Sequence, residues 1–430
     1  MLTTLARRLS GLTSLLFALL ALALALPVLA VLGSWLQWSG DSANILREMA
    51  STVLPDYALT TLGLCLMVAV GVTVLGLATA VLVTLFDFPG RGIFEWLLLL
   101  PLAMPAYVVA YAYTDFLQFS GPLQVALRES LGLQGRLWPD VRSVWGAALV
   151  FTLSLYPYVY LLARTALVER ASGLMEAARL LGAPLTRRIR EIALPLARPA
   201  VAAGVALALM ETLADFGVSS YFGIQTFTAG IYKAWLSMDN RMAAAQLATA
   251  LLAVVLVLLQ LEQRAQKRMR FNQGRGSRQG SAEAQPLQLN GMQRVLAWGL
   301  CSLPVLLGFV LPVLIMLRAF VGDTTEMPWE RFGHWAWNSL RLGLITAVLA
   351  VGVALALAFS VRTRADRISQ GVIQLVGLGY AIPGAVVVVG LLLPVGWIQQ
   401  TWPASSAGAW ITATSLGLSL IHISEPTRPY

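Results

Sequence analysis

Long apolar runs, separated by short polar stretches, recur along the whole chain. A helix needs about 20 such residues to cross the hydrocarbon core of a bilayer. On that measure spans are predicted at about Leu15–Leu36, Tyr57–Leu85, Trp96–Leu117, Val144–Ala163, Ala200–Tyr221 and Ala243–Leu261. A second set is predicted at about Val295–Leu317, Ser339–Val361 and Gly371–Ile398, and a last apolar run opens near Ala407. The runs are continuous, whereas a membrane barrel would show short alternating segments. The first run exceeds the core of a signal peptide, roughly 7–15 residues, so it reads as an uncleaved span. The expected fold class is an all-α polytopic membrane protein.

The polar stretches differ in sign. Arg7 and Arg8 precede the first span, which predicts a cytoplasmic N-terminus. Counting spans from there, the segment from Arg164 to Arg198 is cytoplasmic, and it holds seven arginines against Glu169, Glu176 and Glu191. The segment after the sixth span is also inside. It carries Arg264, Lys267, Arg268, Arg270, Arg275, Arg278 and Arg294 against Glu262 and Glu283. The expected outer loops reverse the balance: residues 38–56 hold Arg47 against Asp41, Glu48 and Asp56, and residues 319–337 hold Arg331 against Asp323, Glu326 and Glu330. This is the asymmetry of a cytoplasmic-side excess of basic residues.

Composition narrows the chemistry. Of 430 residues, 58% are hydrophobic and 12% charged, about half the charged share of a soluble domain. The net charge of +9 follows from the basic cytoplasmic loops and calls for no nucleic-acid partner. Cys65 and Cys301 both lie in apolar runs, without disulfide or metal-ligand spacing. His334 and His422 are isolated, so no catalytic centre, metal site or cofactor is expected. The only lysines are Lys233 and Lys267, and no Gly-rich loop ends in Lys-Ser or Lys-Thr, so the chain lacks a P-loop of its own.

Two halves are legible. The stretch "FNQGRGSRQGSAEAQPLQLNG" (271–291) is polar and rich in Gly, Ser and Gln, as a flexible linker is. Sliding the chain by 278 residues sets Leu62, Leu64 and Leu66 on Leu340, Leu342 and Leu344, and Ala69-Val70 on Ala347-Val348. The same slide sets Leu77-Ala78 on Leu355-Ala356, and "AMP" (103–105) on "AIP" (381–383). Duplicated membrane halves are a transporter architecture. The expected division is a first half over 1–262, a cytoplasmic linker over 263–293 and a second half over 294–420.

Between the fourth and fifth spans lies "EAARLLGAPLTRRIREIALP" (176–195), too charged to insert and rich in helix formers. Gly182 and Pro184 break it into two amphipathic pieces. The second, Leu185 to Leu194, is expected to end at Pro195. A basic amphipathic helix–turn–helix can lie on lipid headgroups, but the spacing is more specific than that. Glu176, Ala177 and Ala178, then three residues, Gly182, nine residues, and Ile192, Leu194 and Pro195 resemble the EAA loop of ABC-importer permeases. The resemblance implies the type I ABC-importer permease fold, two tandem six-helix halves, with 164–198 as the ATPase-coupling loop. It implies a separate ATP-binding cassette subunit dimer and a periplasmic substrate-binding protein as partners, beside the lipid bilayer itself. It also implies a multi-pass location in a bacterial inner membrane and no enzymatic activity in this chain. "LPLAMPAYVVAYAYTDFLQFSGPLQ" (100–124) and "ETLADFGVSSYFGIQTFTAGIYKAW" (211–235) resemble the ferric-iron permeases in particular. Related permeases for thiamine, phosphonate or polyamines share the loop. A secondary transporter built from repeats is the alternative of another class, and it would have no need of an ATPase dock.

Glu211 and Asp215 stand four apart in the fifth span and share a helix face. An intramembrane carboxylate costs about 2.5–3.5 kcal/mol on insertion scales and is expected to face a water-filled or protein interior. With Tyr111, Tyr113 and Asp115, and further oxygens from Tyr156, Tyr158 and Tyr160, these residues are candidates for a cation translocation path. Asp215 before Phe216-Gly217 reads equally as a cap at a helix break, and tyrosines also mark membrane interfaces. Pro101, Pro105 and Pro383 fall inside spans as hinges or fixed kinks. The second EAA glutamate is expected near position 454, by adding the offset of 278 to 176. The tail 421–430, "IHISEPTRPY", resembles translated adapter sequence, so the second half is expected to be truncated and the tail non-native.

Overall fold

The computed structural model describes residues 19–20, 22–36, 40–238, 240–271, 286–322, 328–363, 379 and 382–401. The middle of the expected linker, the start of the predicted span at Gly371, the run from Ala407 and the tail 421–430 lie outside the described residues.

The chain forms helices because its apolar runs leave no water to satisfy backbone groups, and a helix pairs them all within one segment. In order these are α1 (Leu22–Leu36), α2 (Gly40–Thr52), α3 (Leu54–Leu85), the two-residue strand β1 (Phe86–Asp87), α4 (Arg91–Leu97), α5 (Ala106–Leu117), α6 (Pro122–Leu131) and α7 (Val144–Ala166). Then come α8 (Ser172–Leu180), α9 (Leu185–Arg188), α10 (Leu194–Ala214), α11 (Gly217–Phe222), α12 (Phe227–Tyr232) and α13 (Arg241–Phe271). The strand β2 (Leu287–Gln288), α14 (Met292–Val305), α15 (Leu311–Gly322), α16 (Trp329–Thr363) and α17 (Gly384–Thr401) complete the described residues. β1 and β2 pair in parallel, Phe86 opposite Leu287 and Asp87 opposite Gln288.

Among the described residues, six continuous helical stretches are long and apolar enough to cross a membrane: 54–85, 144–169, 185–214, 241–265, 292–322 and 329–359. Five match runs predicted from the sequence; the predicted fifth span, Ala200–Tyr221, instead starts at Leu185 and ends at Ala214, where the helix breaks. The predicted third span is different. Residues 91–103 and 106–131 meet at 85° across Met104 and Pro105, so this crossing is broken or re-entrant. Pro101 and Pro105 offer no N–H, and Met104, held extended (ψ 119°) before Pro105, cannot continue a helix.

Contacts divide the chain into two compact units, residues 39–321 and residues 1–38 with 322–430. The packing division therefore does not follow the polar linker. α14 and α15 pack with the helices of the first half, and α1 packs with the C-terminal helices, where the backbone of Gly390 closes on Pro27. In the larger unit, α3, α7, α10 and α13 form the centre. Val159 of α7 lies between two glycines: a Cβ on Gly76 would stand 2.7 Å from its Cβ, and one on Gly204 2.7 Å from its Cα. With lipid outside, helices gain little from hydrophobic contact alone, so close backbone approach through small residues supplies the packing.

Candidate coupling loop and broken helices

α7 continues past Ala166 without a loop. It runs through a π-helical turn, Leu167–Ala171, into α8, which carries Glu176, Ala177 and Ala178. Gly182 takes φ +78°, the left-handed conformation that closes a helix. There the Ala183 N–H donates to the Ala178 carbonyl (2.9 Å) and the Gly182 N–H to that of Arg179 (3.0 Å). Pro184 then opens α9. The expected helix–turn–helix is present, with one correction. Its second piece does not end at Pro195 but passes through a π-helical turn, Ile189–Ala193, straight into α10. The wider turn just before Pro195 lets the helix absorb a residue that has no N–H to give.

The loop has an outer and an inner side. Ala177 and Gly182 are exposed, and beside them Leu174, Leu180 (81%) and Leu181 (87%) present an apolar edge. Glu176 forms an exposed ion pair with Arg179 at 3.7 Å, within its own helix. Ile192, Leu194 and Pro195 turn partly inward, and Ala193 is fully buried. The first part of the pattern is thus displayed while the second roots the loop in the bundle. Arg188 was not singled out by the sequence, where it is one arginine among several. It is buried, and its guanidinium reaches the Met175 carbonyl of α8 at 3.5 Å. Arg187 instead pairs with Glu191 at 2.9 Å on the exposed side.

The path candidates divide. α10 ends at Ala214, and Asp215 caps the restart: its Oδ1 accepts the Val218 N–H at 2.8 Å. Glu211 sits half-buried one turn earlier, in the last turn of α10. Tyr113 is buried and donates its hydroxyl to the Leu307 carbonyl. Tyr156 and Tyr160 are likewise committed, donating to the carbonyls of Leu98 (2.8 Å) and Glu95 (3.2 Å). Tyr111 and Asp115 are exposed, and with Tyr107 they stand at i, i+4 and i+8 along one face of α5. The ring of Tyr221 on α11 packs against Tyr107 (5.5 Å) and Tyr111 (5.9 Å), and Arg142 stacks over it at 5.3 Å. The structure thus joins the break in the third crossing to the break after α10. Sequence reading passed over Tyr107, Tyr221 and Arg142, although Tyr107 stood at helical spacing from Tyr111. Among the described residues no three His, Cys, Asp or Glu side chains come together as a metal site.

Residues 72–271, which hold the loop and both breaks, match the family model described as binding-protein-dependent transport system inner membrane component. The Fe(3+)-transport system permease protein FbpB 2 of Haemophilus influenzae is 24% identical over 390 residues, 88% of this chain and 71% of that protein. The sulfate transport system permease protein CysT of Salmonella typhimurium is 28% identical over 208 residues, 48% of this chain and 70% of that protein. A putative 2-aminoethylphosphonate transport system permease protein, PhnU of Salmonella choleraesuis, is 28% identical over 204 residues, 46% of this chain and 70% of that protein. The displayed loop of this spacing, rooted between two crossings of an all-α membrane bundle, lies within the stretch that is similar to the inner membrane components of binding-protein-dependent transport systems.

Proposed function

We propose that this chain is the membrane subunit of an importer for ferric iron, driven by ATP hydrolysis on a separate subunit dimer and supplied by a periplasmic binding protein. The observation that carries this reading is the coupling loop. An exposed helix with an apolar edge, closed by a left-handed glycine and rooted in two crossings, is suited to seat in a partner and move as a lever. The alignment with the Haemophilus influenzae Fe(3+) permease supports the choice of cargo, because it runs through both halves, where the sulfate and phosphonate relatives align over about half the chain. The division into halves at 1–262 and 294–420, joined by the linker 263–293, rests on the polar composition of the linker and the 278-residue offset between the repeats. The charge asymmetry of the loops supports an inner-membrane location with the N-terminus in the cytoplasm.

The residues proposed for the path are Glu211, Tyr111 and Asp115, with Asp215 and Tyr113 holding the broken helices that carry them. Exposed phenol and carboxylate oxygens suit a hard cation. Reconstitution in proteoliposomes with the ATPase and the binding protein tests the reading. Radiolabelled ferric iron should accumulate only with ATP. ATP-dependent uptake of sulfate, molybdate or a phosphonate without iron uptake would refute the cargo, and no nucleotide dependence would refute the class.

A further inference from the structure

Glu95 lies on α4, outside the EAA pattern and outside the path. Its carboxylate meets Arg164 at 2.5 Å, with the two side chains only 25% and 30% exposed, and Arg91 approaches it from the other side at 3.7 Å. Its backbone carbonyl accepts the Tyr160 hydroxyl, so α7 holds α4 at two points. Arg164 occupies the last turn of α7, and only the π-helical turn separates that helix from α8 of the coupling loop.

The other flank of α4 is fastened to the segment that follows the linker. Phe94, next to Glu95, packs edge-on against Trp298 of α14 with ring centroids 4.9 Å apart. The Trp298 indole N–H donates to the Pro89 carbonyl at 2.7 Å. β2 pairs with β1, and the Leu289 N–H donates to the Asp87 carbonyl at 3.1 Å. The Arg294 side chain closes the turn by donating to the Leu289 carbonyl. α4, a rigid body of two turns, is therefore clamped between the helix that leads into the coupling loop and the helix that opens the second set of spans.

We propose that Glu95 is a positioning residue for energy coupling: through its ion pair with Arg164, α4 relays displacement of the coupling loop to α14. The proposal rests on the permease reading above. An exposed ion pair would carry little. This one is mostly enclosed, and without the carboxylate it would leave Arg91 and Arg164 facing each other as like charges. A two-sided clamp on a short helix is also a contiguous physical link between the two segments.

The test is a double-mutant cycle on the full chain in nanodiscs, with Glu95→Gln, Arg164→Gln and the pair, and Glu95→Asp as the conservative control. Two readouts are taken. Amide hydrogen exchange across residues 172–181 needs neither substrate nor ATPase. Each single variant should speed it by about fivefold, the double should be no faster than the singles, and Glu95→Asp should restore protection. With the ATPase and binding protein present, substrate imported per ATP hydrolysed should fall by a similar factor in each single, while the amount of ATPase retained is unchanged. Trp298→Phe, which keeps the ring but loses the N–H, should lower the import ratio without moving the exchange of 172–181, because it acts on the far side of α4. Unchanged exchange in Glu95→Gln, or single effects that multiply in the double, would overturn the proposal. Loss of ATP-dependent import in the wild-type chain would instead count against the permease reading, with the exchange result still deciding this one.

Discussion

Gly182 offers a test that separates backbone conformation from steric fit. Its φ of +78° lies where a side chain is disfavoured, and a Cβ built there meets nothing within 4 Å. Replacement by alanine therefore carries no clash within the chain, only the conformational cost of a left-handed residue, about 1–2 kcal/mol. If the turn must be in this form to seat in the ATPase, that cost appears as a fall in ATPase affinity of about 5- to 30-fold. Asparagine is larger than alanine but tolerates the left-handed region, because its side chain can hydrogen-bond locally. Titration of labelled ATPase onto the solubilised permease should give affinities in the order glycine, asparagine, alanine. Gly182→Trp, which adds bulk as well as strain, should abolish ATP-dependent uptake while membrane insertion stays normal. Alanine binding as tightly as glycine would refute the conformational argument. Asparagine binding more weakly than alanine would show that the size of the side chain in the partner's groove decides instead.

Other expectations follow from the site geometry. Asp215 accepts the Val218 N–H, so Asp215→Asn should transport nearly as well as wild type, while Asp215→Ala should lose the cap, about 1 kcal/mol; equal loss in both would mean that the charge is what matters, and uptake rates decide. Glu211→Gln should lower the rate of transport more than Asp115→Asn, because Glu211 is half-buried inside the bundle and Asp115 is exposed near the end of its helix; initial uptake rates at saturating substrate check this. Arg188→Met removes a buried donor to the Met175 carbonyl and should cost about 1.5–3 kcal/mol of local stability; faster amide exchange within residues 172–181 is the readout, and no change would show that the arginine is not a strut.

Much of this protein follows from one-dimensional pattern, because in lipid every backbone group must be satisfied within its own segment. The apolar runs near residues 57–85, 144–163, 243–261 and 295–317 became helices in those places for that reason, and the loop pattern from Glu176 to Pro195 declared its turn through a glycine and a proline. What spacing could not decide was where a crossing breaks and which polar group is already taken. Asp215 and Glu211 look alike in sequence, yet one closes a helix restart and the other stays in the last turn of α10. Tyr111 and Tyr113 are two apart, so helical rotation puts them on different faces, and only the tertiary structure showed that Tyr113 is the one that is buried and bonded to the Leu307 carbonyl, in the turn between α14 and α15. The polar linker marked a boundary of composition, while packing placed α14 and α15 with the first half and α1 with the last helices. Such packing joins residues far apart in the chain through short contacts, such as Gly76 and Gly204 on Val159 or Gly390 on Pro27, which depend on the shapes of both surfaces and leave no periodic trace in either.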